Sequence, residues 1–125
     1  MGNPFVHIEL GTNDVPRAKT FYARLFDWKL EDVQMPEMTY TMVKVGDGTG
    51  GGMLKWPMPG LPAMWVPYIL VADVRAATAK AKSLGAKVMK DVAEIPNMGS
   101  FSIITDPTGA MFGMWEAKMD EKSAA

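Results

Sequence analysis

The sequence predicts an α+β fold of two tandem βαβββ modules. Their eight strands form one curved, cup-shaped sheet with the helices on its convex face. Three observations carry this. The chain repeats itself, each copy opens with an alternating strand and a capped amphipathic helix, and a proline-rich stretch separates the copies. At an offset of 59 residues (73 − 14), Asp14-Val15 falls on Asp73-Val74 and Ala18 on Ala77. Leu25 falls on Leu84, Asp32-Val33 on Asp91-Val92, and Trp56 on Trp115. Asp47, Thr49 and Gly50 fall on Asp106, Thr108 and Gly109. The matched residues sit at caps, turns and apolar positions, which marks a duplicated structural unit.

Each element has its own signal. Phe5–Leu10 alternates, with Val6, Ile8 and Leu10 on one face and Phe5, His7 and Glu9 on the other. That is a half-buried strand. Thr12-Asn13-Asp14-Val15-Pro16 supplies a capping side chain and an early proline, a helix start. Ala18, Phe21, Tyr22, Leu25 and Phe26 recur at helical spacing and are expected to be buried by it. Trp28–Met35 and Thr39–Val45 read as strands, 46–50 as a glycine-rich turn, and Gly52–Trp56 as the fourth strand. Pro57 to Pro62 can neither continue a strand nor start a helix. The second copy follows as strand Val66–Val71, helix Asp73–Leu84 stopped at Gly85, and strands Lys87–Glu94, Ser100–Thr105 and Met111–Ala117. The tail from Asp120 is expected to fray. The chain is thus one domain over residues 1–125, with module 1 at 4–56, a linker at 57–64 and module 2 at 65–118. Neither copy is long enough to bury its sheet face alone. By parity, Val6/Ile8/Leu10 and Ile69/Val71 should lie under the helices, and the other faces should line the cup.

Composition narrows the function. The 125 residues are 48% hydrophobic and 22% charged, as in an ordinary globular domain, with a formal net charge of −1. There is no basic field to hold nucleic acid or an anionic membrane. No apolar run approaches the roughly 18–20 residues that span a bilayer. The N-terminus has no signal-peptide pattern and reads as mature. With no cysteine, disulfides, thiolate nucleophiles and zinc–thiolate sites are excluded. A cytoplasmic location fits this composition. The twelve methionines are scattered rather than set at ligand spacing, which favours an apolar, Met-lined pocket over a copper site. Gly46-Asp47-Gly48-Thr49-Gly50-Gly51 has the letters of a dinucleotide fingerprint but leads into a strand. Without a helix N-terminus for a pyrophosphate, it reads as a hairpin turn.

The pattern resembles the vicinal oxygen chelate superfamily, which includes glyoxalase I, bleomycin-resistance proteins and extradiol dioxygenases. The resemblance covers nearly the whole chain. It rests on His7-Ile8-Glu9-Leu10, Asp14-Val15, Ala18, Phe21 to Trp28 (FYARLFDW) and Asp106-Pro107-Thr108-Gly109. Trp65-Val66-Pro67-Tyr68, Ile95 to Gly99 and Phe112 to Glu116 look like a bacterial glyoxalase-like subgroup. The resemblance implies a small-molecule ligand in the cup and pairing into a homodimer. Apolar residues near the linker, Met58, Leu61, Met64 and Trp65, are candidates for that interface. In metal-dependent members, ligands come from the first and last strands of each copy. Carried onto this chain, those four places read His7, Leu54, Val66 and Gly113. A catalytic zinc or nickel ion needs about three or four protein ligands, and only His7 can ligate. No metal is expected, therefore. Glu116 lies three residues past Gly113, so parity turns it to the other face.

The remaining candidates for chemistry are His7, the one histidine, and Glu9. They share a face about 6.5–7 Å apart along the strand. Beside an apolar cup they form an acid/base pair, since burial and mutual charge perturb both. The plainer readings are a hydrogen-bonded structural histidine and a solvated rim carboxylate. Tyr68 is the repeat mate of Glu9 (9 + 59 = 68) and is a candidate to orient a ligand or bond Glu9. Trp56 and Trp115, with Met111 and Phe5, are candidates to line the cup and stack on a planar ligand. For the tryptophans, sheet packing or a dimer contact is the alternative. Two functions follow: a metal-independent lyase or isomerase acting on a small carbonyl compound through His7 and Glu9, or a non-catalytic sequestration protein of the bleomycin-resistance type.

Overall fold

A computed structural model of the chain describes residues 2–36 and 38–118. The elements run β1 (Phe5–Thr12), α1 (Val15–Leu25), β2 (Lys29–Gln34), β3 (Thr39–Lys44), β4 (Gly51–Lys55), β5 (Met64–Leu70), α2 (Val74–Ser83), β6 (Lys87–Ile95), β7 (Gly99–Thr105) and β8 (Met111–Ala117). This is the duplicated βαβββ order. The eight strands form one sheet in the order β2-β3-β4-β1-β5-β8-β7-β6. In each copy the first strand runs parallel to the last, β1 to β4 and β5 to β8, and the remaining pairs are antiparallel. Element boundaries lie within about two residues of those expected. The tail expected to fray lies outside the described residues.

By internal contacts the chain divides into two compact units, 7–67 and 68–118 with 2–6. In the first, α1 starts where Asp14 caps it, its side chain accepting from the Arg17 amide at 3.1 Å. The helix lays Val15, Ala18 and Tyr22 on a core of Leu10, Val43 and Met53, with Trp28, Leu30, Val45 and Trp65 packed around it. Tyr22 is the hub. Its ring stacks on Trp28, meets Trp65 edge-on, and its hydroxyl accepts from the Trp65 indole at 3.2 Å. Trp65 therefore packs on this core while staying partly buried.

Two expectations are corrected here. Phe21 and Leu25 are not buried by α1; they are 57% and 56% exposed. The stripe that packs is 15/18/22, and at about 100° per residue Phe21 lies about a quarter-turn away from its centre. Leu25 sits in the last turn, beyond the core. Phe26, outside the helix, keeps its contacts with Tyr22 and Trp28 but is 46% exposed. Ile8 has the parity of Leu10, yet it is 37% exposed, since it lines a small apolar recess with Trp28 and Trp65 instead of lying under the helix.

In the second unit, Asp73 caps α2 by accepting from the Ala76 amide at 3.0 Å. Gly85, at φ 99°, stops it, in the left-handed region that glycine adopts without strain. Its core is Val74, Ile104 and Met114, ringed by Val71, Ala77, Ala81, Val88 and Phe112. Thr78 and Ser102, both buried, share a hydrogen bond at 2.8 Å between α2 and β7. The N-terminal segment joins this unit through the Leu70 amide, which donates to the Pro4 carbonyl at 2.9 Å.

Candidate functional site

The site grows from the strand register in the first unit. Glu9 of β1 stands opposite Gly52 of β4, and Gly52 stands opposite Met42 of β3. Leu10 and Val43, one residue on, belong to the core under α1. Glu9, Gly52 and Met42 therefore occupy the opposite face, as do His7 and Tyr40, two residues from Glu9 and Met42. Gly52 has no side chain, and Tyr40 uses that space. A Cβ at position 52 would run into the Tyr40 ring and hydroxyl. The tyrosine leans across the strand and places its oxygen between the two β1 side chains.

The result is a continuous hydrogen-bonded chain. The Tyr40 hydroxyl donates to Glu9 Oε1 at 3.0 Å. His7 Nε2 lies 2.6 Å from the same oxygen. A phenol has one proton, and here Glu9 takes it, so Nε2 carries a proton and donates to Tyr40. The imidazole and phenol rings are near parallel, at 23° with centroids 6.2 Å apart. Glu9 is 7% exposed, and His7 and Tyr40 are half-buried. Burial lowers the His7 pKa below its ordinary value, so the ring is held neutral at pH 7. Burial first, then the Glu9 charge and its hydrogen bond, raise the Tyr40 pKa far above that of a free phenol. The site thus sets a neutral imidazole, an un-ionised phenol and the Glu9 carboxyl group in series.

His7 and Glu9, named from the sequence, come together through Tyr40, which sequence reasoning missed. The signal available was Gly52, a glycine inside a strand, which marks close approach by a neighbour. The other candidates are placed as follows. Trp56 is 5% exposed; it covers Gly11, and its indole donates to the Pro62 carbonyl at 2.9 Å. Tyr68 is 4% exposed, with its ring over Gly113 and edge-on to Phe101 at 6.2 Å. Trp115 pairs with Phe101 across β7 and β8 and packs over Gly99. Met111 is half-buried opposite Thr105, and Phe5 is exposed. Glu116 faces α2, where its carboxylate accepts from the Val74 amide at 2.8 Å. That is the side opposite Gly113, as parity requires. The 46–50 segment is a turn between β3 and β4, with Gly46 and Gly48 at φ 97° and 101°, and no helix follows it.

The model of the Glyoxalase/Bleomycin resistance protein/Dioxygenase superfamily matches residues 5–114. The chain belongs to this superfamily. A curated relative in Mycobacterium tuberculosis, provisionally named glyoxylase CFP32, is 35% identical over 107 residues, covering 85% of this chain and 41% of the relative. The chain thus spans about two fifths of that relative's length. Among solved structures, the hypothetical protein BH1468 from Bacillus halodurans superposes with a TM-score of 0.70 at 14% identity, over 96% of this chain and 98% of that one. A Streptomyces coelicolor methylmalonyl-CoA epimerase, in complex with 2-nitronate-propionyl-CoA, superposes at 0.66 with 16% identity, over 92% and 97%. At these identities the two structures establish the fold.

The superfamily's metal-dependent members raise the question of a metal here. Leu54 and Val66 are buried hydrocarbons, and Gly113 lies under the Tyr68 ring. These residues do not fit a catalytic cation, which needs about three oxygen, nitrogen or sulfur ligands. Among the described residues no three His, Cys, Asp or Glu side chains gather as a ligand set. No described helix is long and apolar enough to cross a membrane.

Proposed function

We propose that this chain is a glyoxalase-like lyase or isomerase that moves a proton beside the carbonyl of a small organic compound, without a metal. His7 and Glu9 are its acid/base pair. One observation carries the reading: a buried carboxylate and a neutral imidazole joined through a single phenolic hydroxyl. Burial shifts the protonation equilibria of such groups, and groups perturbed in this way cluster at sites of acid/base chemistry. The hydrocarbon side chains at the family's ligand positions support acid/base chemistry over Lewis-acid chemistry. The relative provisionally named a glyoxylase fits the same class. The protein would act as a homodimer in the cytoplasm, on a small-molecule substrate.

The second reading is sequestration, as in the bleomycin-resistance branch. It is favoured by the aromatic set Tyr68, Phe101 and Trp115 on one face of the second unit, which suits a planar ligand. Glu9→Gln separates the two. It keeps an acceptor for Tyr40 but cannot hold a transferred proton. Under the enzymatic reading turnover falls by about 100-fold or more while ligand affinity changes little. A ligand that binds wild type and variant equally, with no turnover by either, makes the protein a binder.

A further inference from the structure

We infer that Tyr40 relays a proton between His7 and Glu9, so that the site takes a proton from its substrate without forming an imidazolium. This rests on the acid/base reading above and names the path within it. The Tyr40 oxygen stands 2.6 Å from His7 Nε2 and 3.0 Å from Glu9 Oε1 and so bridges the two groups. The bonds have a direction, Nε2–H to Tyr40 Oη and Oη–H to Glu9 Oε1, and reversing both moves one proton to Glu9. Glu9 is buried and His7 half-buried. A substrate proton enters at His7 and its charge is balanced at Glu9.

The step balances as follows. The substrate C–H bond breaks and a bond forms from the proton to His7 Nδ1. The C–H electron pair stays on the substrate as an enolate. The Nε2–H proton passes to Tyr40 Oη, and the former Tyr40 proton passes to Glu9 Oε1. His7 ends neutral in its other tautomer, Tyr40 ends unchanged, and Glu9 ends as a neutral acid. One negative charge has moved from Glu9 to the enolate. No charge separation is created in a poorly solvated site, where an imidazolium is disfavoured by burial. The reverse sequence returns the proton. Gly52 is part of the device, since its missing side chain admits Tyr40 between the two groups.

The single histidine makes the test clean. Nitrogen-15 NMR of the full chain at pH 7 reads one imidazole. The relay requires the neutral Nε2–H tautomer with a slowly exchanging Nε2 proton. Tyr40→Phe, which keeps the ring over Gly52, should speed that solvent exchange about tenfold or more. Glu9→Gln should leave the tautomer in place, because the amide oxygen still accepts from Tyr40. In D2O, dihydroxyacetone and acetoacetate then report α-proton exchange. Wild type should exchange at least one of them, and each variant should lower that rate about 100-fold. An Nδ1–H tautomer, or Nε2 exchange unmoved by Tyr40→Phe, overturns the relay. So does substrate exchange that survives Tyr40→Phe while failing in Glu9→Gln, an outcome that leaves the acid/base reading standing. If wild type shows the tautomer and exchanges neither probe, the acid/base reading falls and takes the relay with it.

Discussion

His7 gives the sharpest consequences at the scale of single residues. Its pKa is lowered in the folded protein, so the unfolded chain binds a proton that the folded chain refuses. Stability is therefore full above the unfolded value of about 6.5 and declines as pH falls from there toward the lowered folded value. Urea unfolding between pH 7 and 5 should show this slope, and His7→Gln should flatten it. A wild-type stability flat across that window would contradict the buried, neutral imidazole. Gly52 gives a second test. Gly52→Ala forces its Cβ into Tyr40 and should cost about 1–3 kcal/mol by overpacking. Tyr40→Ala should recover part of that cost in the double variant, and strict additivity would show that the two residues do not share the space. The sequence made His7 and Glu9 visible because strand alternation is a strict rule. Tyr40 escaped because its role depends on a missing side chain on the neighbouring strand β4, a relation that no local pattern encodes.

Among the elements, the helices show how much alternation and capping reveal. The first helix start was legible with a capping Asn or Asp; the cap is Asp14. Its repeat mate Asp73, expected inside the second helix, caps α2 likewise. Each accepts from an amide three residues on. Replacing either by alanine should cost about 1 kcal/mol, read by thermal unfolding. Glu116 has a different role, holding the first amide of α2 from β8. Glu116→Ala should cost about 1–2 kcal/mol in stability and leave proton exchange on the substrate unchanged. A loss of exchange with stability intact would place Glu116 in the chemistry instead. The burial expected for Phe21 and Leu25 was wrong because helical spacing identifies an apolar stripe, whereas the core width decides how much of it is covered. Trp56 shows the same limit for strands. Parity set its face, but not that the chain after β4 returns to offer the Pro62 carbonyl to its indole.

For the molecule as a whole, the duplication was the most legible feature, since caps, turns and apolar positions recur at one offset. The two copies have diverged in what they hold. One joins His7, Tyr40 and Glu9 by hydrogen bonds, and the other gathers Tyr68, Phe101 and Trp115 on one sheet face. The repeat mate of Tyr40 is Gly99 (40 + 59 = 99), so the second copy lacks that phenol in sequence. The family's ligand positions carry leucine, valine and glycine beside His7, which is why the account rests on proton transfer rather than metal chemistry. Its central claim meets its most direct test in one measurement: α-proton exchange of a small enolisable ketone in D2O by protein stripped with a chelator. Exchange should persist after stripping, be unchanged by added zinc or nickel, and be lost in Glu9→Gln. Exchange that vanishes with the chelator and returns with one equivalent of metal would contradict it.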